Sequence, residues 1–175
     1  MGGAVRIVGI DPGKTTGVVV VDATEGGWEL HSRFELASEG DSRGEQLLGI
    51  YQALHALIGD PYPPQVGTVV MEEMLAYRKA SADEKVEAQA LVKLVTAETG
   101  RELVTYAPAT VRSVVCRDGR ADERTIRETL KFLARAPQRA KKGEGWSNHQ
   151  LDALAVALCH LARSGMVLDR CKEGA

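Results

Sequence analysis

The sequence lacks the features that would place it in a specialised class of protein. No apolar run approaches the roughly 20 residues that a membrane-spanning helix needs, and the N-terminal segment has no hydrophobic core of a secretory signal peptide. No tract of biased composition interrupts the 175 residues, of which 44% are hydrophobic and 26% charged. We therefore expect an ordinary globular chain, large enough for one domain with a sizeable core, located in the cytoplasm.

Cysteine is also scarce. The three cysteines, Cys116, Cys159 and Cys171, are odd in number and do not have the spacing of a zinc knuckle. Neither a disulfide framework nor a structural zinc site is predicted, and the thiols are expected to be reduced in a cytosol.

An overall positive charge is missing as well, since the net charge is −2. Its distribution is uneven, however. Residues 112–142 hold ten Arg or Lys against four Asp or Glu, a net +6 that leaves −8 for the rest. An acidic body with a basic segment suits a metal–carboxylate centre beside a phosphate-binding surface. A solvated helix face would account for the same charge run.

Hydrophobic periodicity predicts an α/β fold. Short β-branched runs predict two strands, and a third strand follows in which Trp28, Leu30 and Phe34 are in phase. Three- and four-residue spacing then predicts helices that alternate with two further strands, the last helix beginning at Ser147 in a capping box with Gln150. We expect an antiparallel three-strand meander plus two parallel strands, a five-stranded mixed sheet flanked by helices on both faces. Residues 1–165 would form a single domain, followed by a tail at 166–175.

Asp11 ends the first strand, in "GIDPG". An Asp before Pro-Gly commonly opens a turn, and on its own this residue is better explained by turn chemistry than by catalysis. In "VVMEE" a second strand runs directly into two acids. Because successive strand side chains point to opposite faces, Glu72 and Glu73 cannot both enter one site. We favour Glu72, with Glu73 as the exposed alternative.

The segment "HQLDA" places His149 and Asp152 three residues apart, on one face of the last helix. Near the helix N-terminus the helix dipole favours a neutral imidazole, which is the form that binds a metal. The alternative is that Asp152 only complements the dipole and that His149 is a surface residue.

The three separated carboxylates carry more weight together than singly. Mg²⁺ prefers oxygen ligands and retains waters, so one or two carboxylates per ion suffice. Two ions about 4 Å apart can activate a water and stabilise the leaving oxygen in phosphodiester cleavage. Asp11 could bridge the ions from its central strand, with Glu72 and Asp152 completing the two shells. His149 would bind one ion or transfer a proton.

Four segments in this order resemble the RuvC family of Holliday-junction resolvases: "VGIDPGKTTGVVVVD", an apolar strand ending in Glu, "YAPATVRSVV" and "HQLDALAVAL". The resemblance covers nearly the whole chain. It implies the ribonuclease H-like fold and a homodimeric endonuclease that depends on Mg²⁺ or Mn²⁺. Such an enzyme makes paired, symmetric nicks across a four-way DNA junction and leaves 5′-phosphate and 3′-hydroxyl ends. A branch-migration helicase complex would be a further partner, for which the sequence itself has no signature.

Carried over residue by residue, the resemblance assigns the acidic set to Asp11, Glu72 and Asp152, with His149 at a fourth position. Phosphate contacts are expected from six basic side chains: Lys14, Arg112, Arg120, Arg124, Lys141 and Lys142.

The chain departs from the family at three places, one of which is "KVEAQALVKLV", where a Gly-rich pattern of the family is missing. Leu75 stands near the position of an aromatic that inserts at the junction, with Tyr77 close by. The segment "GRADERT" lacks a lysine that the family often has, and Arg120 or Arg124 would substitute for it. Two alternatives stay open: an RNA-processing nuclease of the YqgF type on the same fold, and a catalytically inactive DNA-binding scaffold.

Overall fold

The N-terminal third of the chain forms an antiparallel meander, as its β-branched composition predicts. The computed structural model describes residues 5–24, 27–37, 40–60, 65–73, 82–135, 145–166 and 168. The meander consists of three strands, β1 (Val5–Asp11), β2 (Thr15–Thr24) and β3 (Gly27–Ala37). Its first turn is closed by the buried Thr16, whose hydroxyl donates to the Gly13 carbonyl at 3.1 Å. Thr16, near the start of β2, thus stabilises the turn.

The rest of the chain alternates helices with two strands that extend the sheet. Strand β4 pairs in parallel with β1, and β5 pairs in parallel with β4, which gives the order β3-β2-β1-β4-β5. The predicted five-stranded mixed sheet is therefore confirmed. In chain order, these elements are α1 (Arg43–Ile58), β4 (Val66–Glu72), α2 (Ala82–Thr99), β5 (Glu102–Tyr106), α3 (Pro108–Cys116), α4 (Glu123–Leu133) and α5 (Asn148–Arg163).

Two apolar layers cover the sheet, one on each face. Helices α1 and α2 pack on one face, whereas α3, α4 and α5 cover the other. Strand β1 shows the alternation that separates the layers, because Ile7 belongs to the α5 side while Val8 and Ile10 belong to the α1 side. By the same alternation Asp11 faces α5.

Strand β3 does not keep the single phase that we predicted. Trp28 and Leu30 pack on the α5 side, but Phe34 packs on the α1 side. The cause is an irregularity in the pairing with β2, where the register skips His31. Such a bulge adds one residue to one strand and inverts the faces of all that follow. Arg33 is thereby turned toward α5.

The start of α5 is the best-defined local feature. Ser147 is its N-cap, and Gln150 completes the predicted capping box through reciprocal hydrogen bonds. This cap satisfies backbone N–H groups that would otherwise have no partner at the helix start. The helix ends at Arg163, and Gly165 follows with φ of 90°.

Helix α5 lies unusually close to the sheet, above two glycines. A Cβ on Gly9 would stand 2.2 Å from the Ala153 carbonyl oxygen, and a Cβ on Gly17 would stand 2.1 Å from the carbonyl oxygen of His149. Both distances are far below contact, and in both cases the obstacle is helix backbone. Glycine at these two positions therefore allows the helix to pack directly on β1 and β2.

The remaining expectations from the sequence concern the cysteines, membrane-spanning helices and the domain bounds. Cys116 and Cys159 are free thiols, and Cys171 lies outside the described residues. Within the described ranges, none of the helices is long and apolar enough to cross a membrane. The division into a domain at 1–165 and a tail stays a prediction.

We predict that Gly9→Ala destabilises the protein. The added methyl group would meet the helix backbone rather than a side chain, so α5 must move away. The free energy of unfolding, measured by urea denaturation, should fall by about 1–3 kcal/mol, the usual cost of overpacking.

The matched control is Gly49→Ala, within α1, where a Cβ would meet nothing within 4 Å. Because alanine favours a helix interior over glycine, this variant should gain up to about 1 kcal/mol. A Gly9→Ala protein as stable as the unmodified chain would contradict the close packing described above.

Candidate active site

The site begins where two parallel strands end side by side. Ile10 of β1 pairs with Met71 of β4, and the next residue on each strand is an acid, Asp11 and Glu72. Adjacent strands are about 4.8 Å apart, so two carboxylates at matched positions are close neighbours. Val70 packs on the α5 side of the sheet, and alternation gives Glu72 the same side.

Glu73 has a different environment. It is exposed, and its backbone N–H donates to the Tyr106 carbonyl oxygen at 2.8 Å, just past the end of the β4–β5 pairing. Of the two acids that close β4, only Glu72 lines the cavity described below.

Helix α5 brings the second half of the site. Gly17, the partner of Asp11 in the β1–β2 ladder, lies directly under the His149 backbone. As a result Nδ1 of His149 stands 2.9 Å from Oδ2 of Asp11. An ionised carboxylate can only accept, so the imidazole N–H is the donor in this contact. The Asp11 side chain is 17% exposed and that of His149 is 46% exposed.

One turn further along α5, Asp152 completes a group of three carboxylates around a single cavity of about 150 Å³. Strands β1 and β4 and helices α3, α4 and α5 all contribute to its wall, which consists of Ile10, Asp11, Glu72, Val111, Arg112, Glu123, Ile126, Asp152 and Ala155.

The carboxylates of this cavity repel one another. Burial, followed by the charges of Asp152 and Asp11, raises the pKa of Glu72 to about 7. Burial and the charge of Asp11 likewise raise the pKa of Asp152 to about 6, against the opposing charges of Arg127 and His149. The pKa of Asp11 is raised by burial and held back by its hydrogen bond to His149. The cluster is thus short of positive charge, which a bound cation would supply.

The donor set fits a hard divalent cation. The oxygens of three carboxylates are the ligands that Mg²⁺ prefers, and an imidazole suits Mn²⁺ better than Mg²⁺. Within the part of the chain that the structure describes, no three histidine, cysteine or carboxylate side chains are already drawn together as a metal-binding group. An ion that keeps several waters and takes one or two protein ligands is compatible with this spacing.

A network between β3 and the start of α5 fixes the helix in position. The guanidinium group of Arg33 donates to the Gly145 carbonyl oxygen at 3.0 Å and to Gln150, and it lies 4.7 Å from the Trp146 ring centre. The hydroxyl of Ser147 donates to the carboxylate of Glu35. Both β3 residues face α5 because of the bulge, so our phase prediction for β3 gave no indication of this network.

The predicted basic residues are distributed unevenly around the site. Arg112 lines the cavity, and Lys14 is exposed in the turn that follows Asp11. Arg120 is exposed and does not line the cavity, and neither does Arg124, whose side chain is 85% exposed. The remaining predicted residues, Leu75, Tyr77, Lys141 and Lys142, lie outside the described residues.

Sequence reasoning missed three charged residues near the carboxylates. Glu123 of α4 lines the cavity, and Arg127, one turn later, lowers the pKa of Asp152. Lys85 of α2 lowers the pKa of both strand carboxylates. Charged residues on amphipathic helices ordinarily mark the solvated face, so the pattern alone had no signal for these three.

Comparison with known proteins gives one consistent family. The family model described as "Crossover junction endodeoxyribonuclease RuvC" matches residues 7–160. A protein of that name from Roseiflexus sp. strain RS-1 is 30% identical over 174 residues, which cover 98% of each chain. Another from Rhizobium etli strain CIAT 652 is 32% identical over 172 residues and covers 94% of each chain.

Solved structures show the same fold. The Thermus thermophilus RuvC structure superposes with a TM-score of 0.75 at 23% identity and covers 92% of this chain and 97% of that one. A second structure, described as T. thermophilus RuvC in complex with Holliday junction substrate, has a TM-score of 0.76 at 22% identity. It covers 92% of this chain and 96% of that one.

The raised pKa of Glu72 predicts a pH-dependent stability. An unfolded glutamate loses its proton near pH 4.5, whereas the folded one holds it to about pH 7. Between these values the folded state binds more protons, so the free energy of unfolding falls as the pH rises through this window. Glu72→Gln removes the unfavourable ionisation of this buried carboxyl group. In EDTA at pH 8 the substitution should therefore stabilise the protein by up to about 3 kcal/mol.

At pH 4 the same variant should match the unmodified chain, because Glu72 is then protonated in both states. Urea denaturation at the two pH values measures both differences, with the exposed Glu73→Gln as the matched control. No gain at pH 8, or an equal gain from Glu73→Gln, would contradict the crowding of carboxylates at Glu72.

Proposed function

Because this chain belongs to the RuvC family of crossover junction endodeoxyribonucleases, we propose that it resolves four-way DNA junctions by paired, symmetric nicks. The observation that carries the proposal is the cavity in which β1, β4 and α5 bring together Asp11, Glu72 and Asp152. The three carboxylates come from positions far apart in the chain, yet they share one small space. A merely structural role for any one of them would not require the other two.

The substrate is inferred from the relatives. A T. thermophilus protein of the same fold has been solved in complex with Holliday junction substrate. The basic segment that we identified at residues 112–142 supplies Arg112 to the wall of the cavity. A phosphate backbone would meet positive charge there beside the carboxylates, which favours a nucleic acid over a small neutral substrate.

Divalent cations, Mg²⁺ or Mn²⁺, are the proposed cofactors, with two ions in each site. Asp11, Glu72 and Asp152 would hold them, and His149 is the fourth candidate ligand. When bound, they would activate a water and neutralise charge on the departing oxygen of the phosphodiester. The raised pKa values of Glu72 and Asp152 support this assignment, since a nearby positive charge would favour the ionised form of both carboxyl groups.

The protein's own residues have separate tasks in this scheme. His149 holds Asp11 by its Nδ1 contact, which fixes the rotamer of the central carboxylate and leaves Nε2 to bind an ion or accept a proton. Arg112 would neutralise a phosphate of the bound strand. The network of Arg33 and Glu35 holds the start of α5 against β3. It thereby positions His149 and Asp152, the two site residues on this helix.

We further propose a homodimer, since paired symmetric nicks require two such cavities. Helix α2 offers one apolar surface for it. Val86 and Leu94 are 51% and 47% exposed, and they lie eight residues apart and therefore on one helix face. A branch-migration helicase partner and a cytoplasmic location stay predictions of the family resemblance.

Removing any of the three carboxylates should abolish cleavage. We expect Asp11→Asn, Glu72→Gln and Asp152→Asn each to lower the cleavage rate of a synthetic four-way junction by at least about 10³-fold, while junction binding stays largely intact. Gel electrophoresis of a labelled junction measures cleavage, and fluorescence anisotropy in EDTA measures binding.

Asp41→Asn is the matched control, because Asp41 is an exposed carboxylate just before α1 that does not line the cavity. Robust cleavage by any of the three variants would contradict the assignment. Cleavage of structured RNA in preference to the junction would favour the YqgF-type alternative. Tight junction binding without any cleavage by the unmodified chain would favour an inactive scaffold.

Metal preference tests the role of His149. If the imidazole binds an ion, Mn²⁺ should support faster cleavage than Mg²⁺, because imidazole suits Mn²⁺ better than the harder Mg²⁺ ion. His149→Asn should then weaken Mn²⁺ binding, measured by calorimetry, more than Mg²⁺ binding. Equal rates in the two metals, with unchanged Mn²⁺ affinity in the variant, would limit His149 to holding Asp11.

A further inference from the structure

Helix α4 carries two Glu–Arg ion pairs with the same four-residue spacing but different surroundings. Arg124 pairs with Glu128 at 2.9 Å, and their side chains are 85% and 64% exposed. Arg127 pairs with Glu123, and the Arg127 side chain is 27% exposed whereas that of Glu123 is 71% exposed. Solvent-exposed ion pairs of this type contribute little to stability, and nothing further is inferred from the first pair. The burial of Arg127 sets the second pair apart.

The second pair, Glu123 and Arg127, lies between the carboxylate cavity and a groove on the outside of α4. Glu123 lines the cavity of the three carboxylates, as does the neighbouring core residue Ile126. Glu123 also borders an open groove along the outside of α4, whose wall consists of Asp122, Glu123, Arg124, Arg127, Glu128 and Lys131. A strand of nucleic acid that enters the cavity along α4 would therefore pass Arg127.

Arg127 also has an unused hydrogen-bond donor. Its Nε atom is buried and has no partner within the described part of the chain. Leaving such a group without an acceptor is unfavourable, and a guanidinium group offers donors in a planar fork that matches two oxygens of a phosphate. A phosphate would supply the missing acceptor once the Arg127 side chain moves, because the Nε atom has almost no exposed surface in the free protein.

We propose that Arg127 binds a phosphate of the DNA strand that enters the carboxylate cavity, and that Glu123 positions its guanidinium group. The inference rests on the proposed nuclease function and extends it to a residue outside the acidic set. Four carboxylates around one cavity repel an incoming phosphate. Arg112 in the wall of the cavity and Arg127 in the adjoining groove offset that repulsion.

This assignment changes which basic residue is expected to bind a phosphate at the site. The sequence led us to expect Arg120 or Arg124 in place of the missing lysine. Arg124 borders the groove but is held in an exposed pair with Glu128, and Arg120 precedes the helix, with its backbone N–H bound to Asp118 at 2.9 Å. Arg127 follows Ile126, the first buried apolar residue of α4, and this brings it next to the cavity wall.

The test compares Arg127→Gln with Arg117→Gln, which removes the same charge from an exposed residue that borders neither space. In single-turnover cleavage of a four-way junction at saturating protein, Arg127→Gln should reduce the rate about 10²-fold, and Arg117→Gln should change it less than twofold. Arg127→Lys should recover part of the loss. Circular dichroism and thermal unfolding establish that each variant is folded.

A double-mutant cycle tests the role of Glu123. Glu123→Gln should reduce the rate several-fold, but it should add nothing in the Arg127→Gln background, because it acts through Arg127. It should also leave the Mg²⁺ concentration for half-maximal cleavage unchanged. Additive losses, or a large rise in that Mg²⁺ concentration, would overturn the positioning role of Glu123.

Junction binding in EDTA provides a readout that is independent of cleavage. Loss of one phosphate contact should reduce the slope of log K against log salt by about 1 in Arg127→Gln and leave it unchanged in Arg117→Gln. If the unmodified chain cleaves but the two variants behave alike in both assays, the Arg127 proposal is wrong and the nuclease function stands. If the unmodified chain binds but does not cleave, the nuclease function fails, and the salt slope alone decides the phosphate contact.

Discussion

The contact between α5 and the two glycines of the sheet is the constraint on which the site depends. Where Gly9 and Gly17 lie under Ala153 and His149, the helix backbone rests directly on strand backbone. Larger side chains at these positions would lift α5 and separate His149 from Asp11, because that hydrogen bond joins the helix to the central strand. The glycines therefore set the distance between the two halves of the acidic cluster, and the capping box and the Arg33 network fix the start of the helix above them.

The cavity itself is electrostatically unfavourable in the free protein. Burial and mutual repulsion hold the pKa values of Glu72 and Asp152 above those of free side chains. A fold selected only for stability would not place three carboxylates in one small space, and functional sites are where such local conflicts are expected. The flanking basic residues reduce the repulsion only in part. The remaining negative charge would attract a cation.

Much of this arrangement was predictable from local patterns. Strands that run into acids, a capping box at Ser147 and an i, i+3 pair on α5 all depend on short-range periodicity, and they located three of the four acidic residues that meet at the cavity. The phase of Phe34 was wrong because a bulge in β3 depends on its pairing with β2, which no single strand pattern shows. Glu123, Arg127 and Lys85 were missed since their importance arises from tertiary packing. In the sequence they are indistinguishable from solvated helix charges.

The central claim is that carboxylates from β1, β4 and α5 form one metal-dependent centre that cuts branched DNA. Its most direct test is to incubate the purified chain with an end-labelled four-way junction, with Mg²⁺ or with EDTA, and to map the product ends. We expect paired nicks at symmetric positions, with 5′-phosphate and 3′-hydroxyl ends, in Mg²⁺ and no cleavage in EDTA. An intact junction in both Mg²⁺ and Mn²⁺, or equal cleavage in EDTA, would contradict it.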